Sequence, residues 1–285
     1  MEHEAPIRLA AFFGILIMVA LGELVSPRRV LTTSKAIRWA SNLGVVAIDT
    51  LAIRLLFPVI GVHIAFMAQE KGWGLLNAVD MPAWLSVLVG ILVLDLVVYL
   101  QHVMFHTVPI IWRLHMMHHA DMDIDVSTGL RFHPIEIIIS LFIKLTAIAA
   151  LGPSVFTVIL FEIILNGTAM FNHGNLKLPL GLDRYLRLLV VTPDMHRVHH
   201  SVTIRETNSN FGFNFPWWDR LFGTYRAQPV AGHEGMTIGL SQFRDARKNQ
   251  LFWMLIMPFT EDPGAYAINR RGADPARISG GKNRP

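Results

Sequence analysis

A series of long apolar runs constrains this chain more than any other feature of its sequence. Five runs approach the length of a membrane-spanning helix, and they cover residues 9–25, 43–67, 83–100, 135–151 and 154–171. The run 83–100 contains one charged residue, Asp95, and as a helix it would be about 27 Å long, close to the thickness of the bilayer hydrocarbon. Hydrophobic residues make up 52% of the 285 residues and charged residues only 16%, which argues against an ordinary soluble enzyme.

The runs predict an all-α integral membrane protein with about five membrane-embedded helices. The first run is a span rather than a signal peptide, because its positive charges, Arg28 and Arg29, follow it. The second run contains Asp49, Arg54 and Pro58, so we expect it to be kinked or partly packed against other helices.

The last two runs are joined by Gly152-Pro153, which predicts a tight helical hairpin. Lys144 and Glu162 each lie roughly 12 to 14 Å from that turn, so they are expected to pair across it. If they do, reversal of both charges should be tolerated better than reversal of either one.

Positive residues set the predicted orientation. The loop after the first span carries four of them: Arg28, Arg29, Lys35 and Arg38. The loop 68–82 has Lys71 as its one positive residue, so the first loop is expected in the cytoplasm. Counting spans then places residues 102–134, and everything after 172, on the cytoplasmic side. The apolar stretch 251–259 is too short to span and is expected to lie along the interface, and residues 262–285 are expected to form a loose tail.

The composition also limits the chemistry. The chain has no cysteine, which excludes disulfide frameworks, iron–sulfur clusters, thiolate haem and cysteine nucleophiles, so any metal must be held by His, Asp, Glu or Asn. The net charge of +4 is interrupted by the apolar runs, a pattern that favours loops on an anionic membrane face over a nucleic-acid groove.

Histidines are concentrated in one third of the chain, with ten of the 13 between positions 102 and 200. Eight of them form His102-x-x-x-His106, His115-x-x-His118-His119 and His196-x-x-His199-His200. Residues at i, i+3 and i+4 share one face of a helix, so each cluster directs imidazoles towards a common point. His133 and His173 are single residues at the membrane ends of the last two spans, and we also expect them to be ligands.

The first cluster continues a helical stripe, because Asp95, Tyr99, His102 and His106 are separated by 4, 3 and 4 residues. With His102 and His106 as ligands, Asp95 or Tyr99 would act at the site by fixing an imidazole tautomer or a bound water. A helix-packing hydrogen bond is the alternative for Asp95.

Ten imidazoles are too many for one metal ion, and two adjacent ions sharing eight to ten of them is the economical arrangement. All-nitrogen ligation suits Fe, Zn, Cu or Ni. No Glu-x-x-His or His-Glu-x-x-His sequence occurs, which disfavours a carboxylate di-iron bundle and a zincin protease, and adjacent His-His pairs disfavour haem. His3, His63 and His233 lie outside the clusters and are expected to be packed or solvated.

These clusters, together with Asn172-His173-Gly174, resemble the histidine boxes of the fatty acid hydroxylase superfamily, which includes the sterol desaturases. Two flanking stretches are similar to family signatures in the same order, one from His118 to Pro134 and one from Asn208 to Tyr225. The resemblance covers roughly residues 85 to 226. It implies N-terminal spans over 1–82, a catalytic domain over 83–226 with a cytoplasmic histidine-rich di-metal cap, and a C-terminal segment over 227–285.

The resemblance implies a non-haem di-iron enzyme that uses O2 and two electrons to hydroxylate or desaturate a membrane lipid, with hydroxylation somewhat favoured. Its cofactors would be two Fe ions, with Zn possible in isolated protein. The sequence lacks His-Pro-Gly-Gly and G-x-G-x-x-G motifs, so a separate electron-transfer protein is implied, and a bacterial inner membrane is favoured. A dimetal zinc hydrolase and a histidine-rich metal transporter are the alternatives.

Two further sets of residues flank the histidines. Six arginines could dock an acidic electron carrier or a lipid phosphate, or could simply form a solvated surface: Arg113, Arg131, Arg197, Arg205, Arg220 and Arg226. Five other residues are expected to shape the fold around the site rather than perform chemistry: Asn208, Asn210, Trp217, Trp218 and Asp219.

Overall fold

The computed structural model describes residues 4–57 and 61–268, and over these residues the chain is helical, with no β-strand. The first seven helices are α1 (Glu4–Val25), α2 (Lys35–Leu56), α3 (Gly61–Lys71), α4 (Ala83–Thr107), α5 (Pro109–His119), α6 (Pro134–Leu151) and α7 (Val155–Asn172). The remaining helices are α8 (Leu180–Leu186), α9 (Pro193–His199), α10 (Ile204–Thr207), α11 (Trp217–Leu221), α12 (Gly232–Gly235) and α13 (Leu251–Thr260).

Five segments of the described chain are long and apolar enough to cross a membrane, which confirms the all-α membrane architecture. They are α1, α4, α6, α7 and the stretch Lys35–Asn77. The last of these is not one continuous helix, because α2 ends at Leu56 and α3 begins at Gly61. Pro58, where a kink was expected, lies outside the described residues.

The hairpin between α6 and α7 turns at Gly152, as predicted. Gly152 has φ 66°, and a β-carbon there would lie 2.2 Å from the carbonyl oxygen of Trp73, so only glycine fits. The hydroxyl of Ser154 then accepts a hydrogen bond from the Thr157 N–H at 3.1 Å and caps the start of α7.

The predicted charge pair across this hairpin is confirmed. The Lys144 ammonium lies 2.5 Å from a carboxylate oxygen of Glu162. Arg8 from α1 also contacts Glu162, so one carboxylate links three helices. The three-residue arrangement changes what charge reversal should do, because a lysine at position 162 would face Arg8 whatever residue 144 carries.

The Glu162→Gln variant should therefore be less stable than the Lys144→Met variant. Loss of the carboxylate removes a partner from two cations, at a cost of about 1–3 kcal/mol, whereas Lys144→Met leaves Glu162 in contact with Arg8. Thermal unfolding of both variants in detergent would measure the difference. Equal stability of the two variants would mean that Arg8 does not share the carboxylate.

A polar cap covers one end of the helices and is built by the connection from α4 to α6, which contains α5, and by the chain after α7. The loop after α1 lies against it, since Arg28 contacts Asp194 and Arg29 donates to the carbonyl oxygen of Met236 at 2.8 Å. The loop therefore lies at the same end of the helices as residues 102–134 and the described chain after α7. Helix α13 packs against α5 and α2 and leaves Phe252 and Phe259 exposed, as expected for a helix at the interface.

Candidate metal centre

Nine histidines converge where the cap meets α4, and they form two adjacent groups. The first group contains His102, His106, His115, His119 and His199. The second contains His118, His173, His196 and His200. Within each group the ligand nitrogens lie within 4.8 Å of one another, and no ring is more than 4% exposed.

The two His-x-x-His-His motifs each serve both groups. On α5, His115 and His119 (i and i+4) face the first group while His118 (i+3) faces the second. On α9, His199 belongs to the first group, and its neighbours at i−3 and i+1 belong to the second. The rings of His119 and His200 stack 4.6 Å apart and bring the groups into contact. One such motif thus contributes histidines to both groups.

Short distances separate the Nε2 atoms within each group. In the first group His102 Nε2 lies 3.2 Å from His115 Nε2 and 3.0 Å from His199 Nε2, and His106 Nε2 lies 3.1 Å from His119 Nε2. In the second, His173 Nε2 lies 3.1 Å from His118 Nε2 and 3.0 Å from His196 Nε2. Two nitrogens that bind one metal ion at right angles, each at about 2.1 Å, would be about 3.0 Å apart. The observed distances between Nε2 atoms therefore fit metal ligation.

The other ring nitrogen, Nδ1, is held by an acceptor in six of the nine residues. The acceptors, with their distances from Nδ1, are Phe211 O for His102 (2.8 Å), Asn208 Oδ1 for His106 (3.0 Å), Glu136 Oε1 for His115 (2.7 Å), Arg131 O for His118 (3.1 Å), Ala169 O for His173 (2.7 Å) and Ser209 O for His199 (2.8 Å). Because these oxygens accept, each Nδ1 carries the proton and each Nε2 directs a lone pair at the centre.

Burial keeps these imidazoles neutral. It lowers the pKa of His115 and of His173 to about 3, and it lowers the pKa of His199 and His200 well below the usual value. Neither ring nitrogen of His200 has a hydrogen-bond partner among the described residues. A buried imidazole whose two nitrogens both lack a partner is unfavourable in a protein interior. A bound metal ion would give one of the two His200 nitrogens a partner.

The tenth predicted ligand, His133, is not brought to either group. Its Nδ1 accepts from the Ile135 N–H at 3.2 Å and caps α6, and its Nε2 donates to the Leu255 carbonyl oxygen at 3.2 Å. Both nitrogens are therefore used in the fold, and the candidate ligands that the structure brings together are the nine histidines of the two groups.

Asp95 and Tyr99 do not reach the imidazoles either. The Asp95 carboxylate accepts from the Trp218 Nε1–H at 2.8 Å, as in the packing alternative, and the Tyr99 hydroxyl lies 2.9 Å from the Thr224 hydroxyl. Both residues hold the loop 208–225 against α4. This corrects the expectation that they act at the metal site itself.

Within that loop, Asp219 links Tyr99 to a ligand. Its carboxylate accepts from the Thr224 hydroxyl at 2.7 Å and from the Phe211 N–H at 2.8 Å, and the Phe211 carbonyl accepts from His102. Burial raises the pKa of Asp219 to about 6. Asp219 thus shapes the site, as the sequence predicted, and orients His102 through the backbone.

The Asp219→Asn variant should lower metal affinity by about 10- to 100-fold, because an amide N–H₂ would oppose a backbone N–H and displace Phe211 from His102. Metal titration of the apoprotein would measure the change. Asp245→Asn, which alters an exposed carboxylate, is the matched control and should bind metal normally. Unchanged affinity in Asp219→Asn would show that Phe211 is held by other contacts.

Two of the arginines considered for docking are not on the surface. Arg131 is buried and donates to the Met117 carbonyl oxygen at 2.9 Å, and Arg197 is buried against Asp194. They support the cap and cannot bind a carrier. Arg205 and Arg220 are exposed.

A cavity of about 340 Å³ runs from the first histidine group into the helices α1, α2, α4, α6 and α7. His102 and His115 form its metal end, and apolar side chains such as Leu94, Phe132 and Phe161 line its walls. Glu136, which binds His115, also lines it, and sequence reasoning missed this residue. The available signal was an acidic residue in the first turn of a largely apolar span.

Comparisons with known proteins find a family match over the region that contains all nine histidines. Residues 87–224 match the family model Fatty acid hydroxylase. The chain is 28% identical over 148 residues to ornithine lipid hydroxylase OlsE of Rhizobium tropici, covering 52% of this chain and 44% of the relative. It is 29% identical over 170 residues to alkylglycerol monooxygenase of Homo sapiens, covering 58% and 35%.

A third relative is a very-long-chain aldehyde decarbonylase of Oryza sativa, 27% identical over 158 residues, which are 54% of this chain and 59% of the relative. The chain spans less than half the length of the first two relatives. No solved structure gives a significant match.

Proposed function

We propose that this chain, which belongs to the fatty acid hydroxylase family through residues 87–224, is a membrane oxygenase that hydroxylates a lipid at a two-iron site held by the nine histidines. The observation that carries the proposal is the convergence of nine buried imidazoles in two adjacent groups at the end of a largely apolar cavity. All-nitrogen ligation suits iron, and the cavity suits a lipid.

Two bound irons would supply O2 activation, so that with two electrons and two protons one oxygen atom enters the C–H bond as a hydroxyl and the other leaves as water. The protein's own task is positioning. His102 and His115 both line the cavity, so a lipid in it would present one carbon beside the first group. Phe132 stacks on His118 at 4.5 Å between ring centroids and helps to exclude water from the centre.

We also propose an electron donor, a membrane location and a reaction type. The electrons would come from a separate donor that approaches the cap. The positive loop between α1 and α2 favours the cytoplasmic side of a bacterial inner membrane for that cap. The relatives named as a lipid hydroxylase and a monooxygenase support oxygenation and hydroxylation over desaturation.

Metal analysis of protein purified in mild detergent from iron-supplemented cells tests the proposal, combined with Mössbauer spectra and O2 consumption on addition of a reductant. We expect about two irons per chain as a coupled pair. Comparison of membrane lipids with and without the gene would then identify the substrate. Two tightly bound zincs with no iron would instead favour a hydrolase, and protein without metal would refute the site.

A further inference from the structure

We infer that the cavity binds the ammonium group of an amine-bearing lipid between the carboxylates of Asp49 and Glu136. This inference deepens the proposed function by naming the substrate class, and it rests on that function for the assumption that a lipid occupies the cavity.

Asp49 lies on α2 and lines the cavity. Its side chain is buried, at 9% exposure, and its Oδ1 has no hydrogen-bond partner among the described residues. A buried carboxylate without a partner inside a membrane protein is costly, and such residues mark sites where something polar binds.

Glu136 provides a second unpaired acceptor in the same cavity. Its Oε1 accepts from His115 Nδ1 at 2.7 Å, whereas its Oε2 has no partner among the described residues and is buried. Asp49 on α2 and Glu136 on α6 line the same cavity, and these two helices pack against each other. A cation in that cavity would be attracted by both carboxylates.

The cavity's own cations are engaged elsewhere. Lys144 is paired with Glu162 at 2.5 Å, and Arg8 contacts the same carboxylate. Among the neutral polar groups, Gln101 donates to the Ser140 hydroxyl at 2.9 Å. Asp49 Oδ1 and Glu136 Oε2 are carboxylate oxygens of cavity-lining residues that are buried without a hydrogen-bond partner among the described residues. An ammonium, with its three N–H donors, can satisfy both.

Binding of three probes with the same tail tests this: tetradecylamine, tetradecanol and tetradecanoate, titrated against protein in nanodiscs with thermal unfolding as the readout. Wild type should bind the amine most tightly. Asp49→Asn should weaken amine binding by roughly 10- to 100-fold. Asp80→Asn, which alters an exposed carboxylate that does not line the cavity, should leave amine binding unchanged.

Asp49→Asn should fold, because it loses no partner, and in the absence of probe it should be at least as stable as wild type. Asp49→Ala is the second variant if the asparagine protein does not fold. Equal amine binding by wild type and either variant would overturn the inference. So would binding of the alcohol or the acid to wild type as tight as that of the amine.

Iron content measured on the same samples separates the two proposals. Protein that binds iron but shows no Asp49-dependent amine binding would contradict the inference alone. Protein that binds the amine through Asp49 but takes up no iron would contradict the proposed function and leave the amine site standing.

Discussion

Replacement of His199 by alanine is expected to abolish lipid hydroxylation and to reduce iron from about two per chain to one or none. His199 Nε2 lies 3.0 Å from His102 Nε2 in the first group, which also borders the cavity. The change removes one ligand nitrogen, and it also leaves the Ser209 carbonyl oxygen without its donor. Similar losses are expected for the alanine variants of His118, His119 and His200. Iron analysis and O2 consumption would measure the effect.

The matched control is His133→Asn. His133 is as buried as the ligands, at 3% exposure, but its Nδ1 caps α6, and asparagine is a good N-cap residue that can replace it. This variant should keep its iron and its activity. His63, which is exposed, should also be replaceable without loss of metal. Full iron loading in His199→Ala, or iron loss in His133→Asn, would contradict the assigned ligand set.

The parts of the fold and site that depend on local spacing could be predicted from the sequence. Apolar run lengths gave the spans, Gly152-Pro153 gave the hairpin, and the pair formed by Lys144 and Glu162 followed from equal distances to that turn. The three histidine clusters were recognised because i, i+3 and i+4 share a helix face. The same local rule does not say which of those imidazoles serves which metal.

The predicted roles of Asp95 and His133 differ from those in the structure, because a side chain's partner depends on its distance along the helix and on tertiary contacts as well as on local spacing. Asp95 shares a stripe with His102, but seven residues of helix separate them by about 10 Å, so the carboxylate meets Trp218 instead. His133 was placed near the membrane end correctly, but its ring caps a helix. Asp219 and Glu136 gain their roles from partners that are distant in sequence, which spacing does not reveal.

In the sequence, Arg38 served only as one of the four positive charges that set the predicted orientation. The structure gives it a second role. It is fully buried, its Nε lies 2.7 Å from Asp121 and its Nη1 lies 2.5 Å from Asp125. Burial alone would raise the pKa of Asp121, but the positive charges of Arg38 and Arg131 hold that pKa below its usual value. Asp121 follows His119 by two residues. The ion pairs of Arg38 therefore join α2 to the end of α5, the helix that carries the first His-x-x-His-His motif.

Arg38→Met should therefore destabilise the protein by about 3–5 kcal/mol and reduce its iron content, because the buried Asp125 would lose its cation and Asp121 would keep only Arg131. Thermal unfolding and iron analysis in detergent would measure both effects. Arg247→Met, which breaks an exposed pair with Asp245, should change neither. The double variant Arg38→Met, Asp125→Asn should recover part of the stability, because it removes the carboxylate left without a cation while Asp121 keeps Arg131 at 3.9 Å. If the double variant is as unstable as Arg38→Met, the cost lies in lost packing rather than in uncompensated charge.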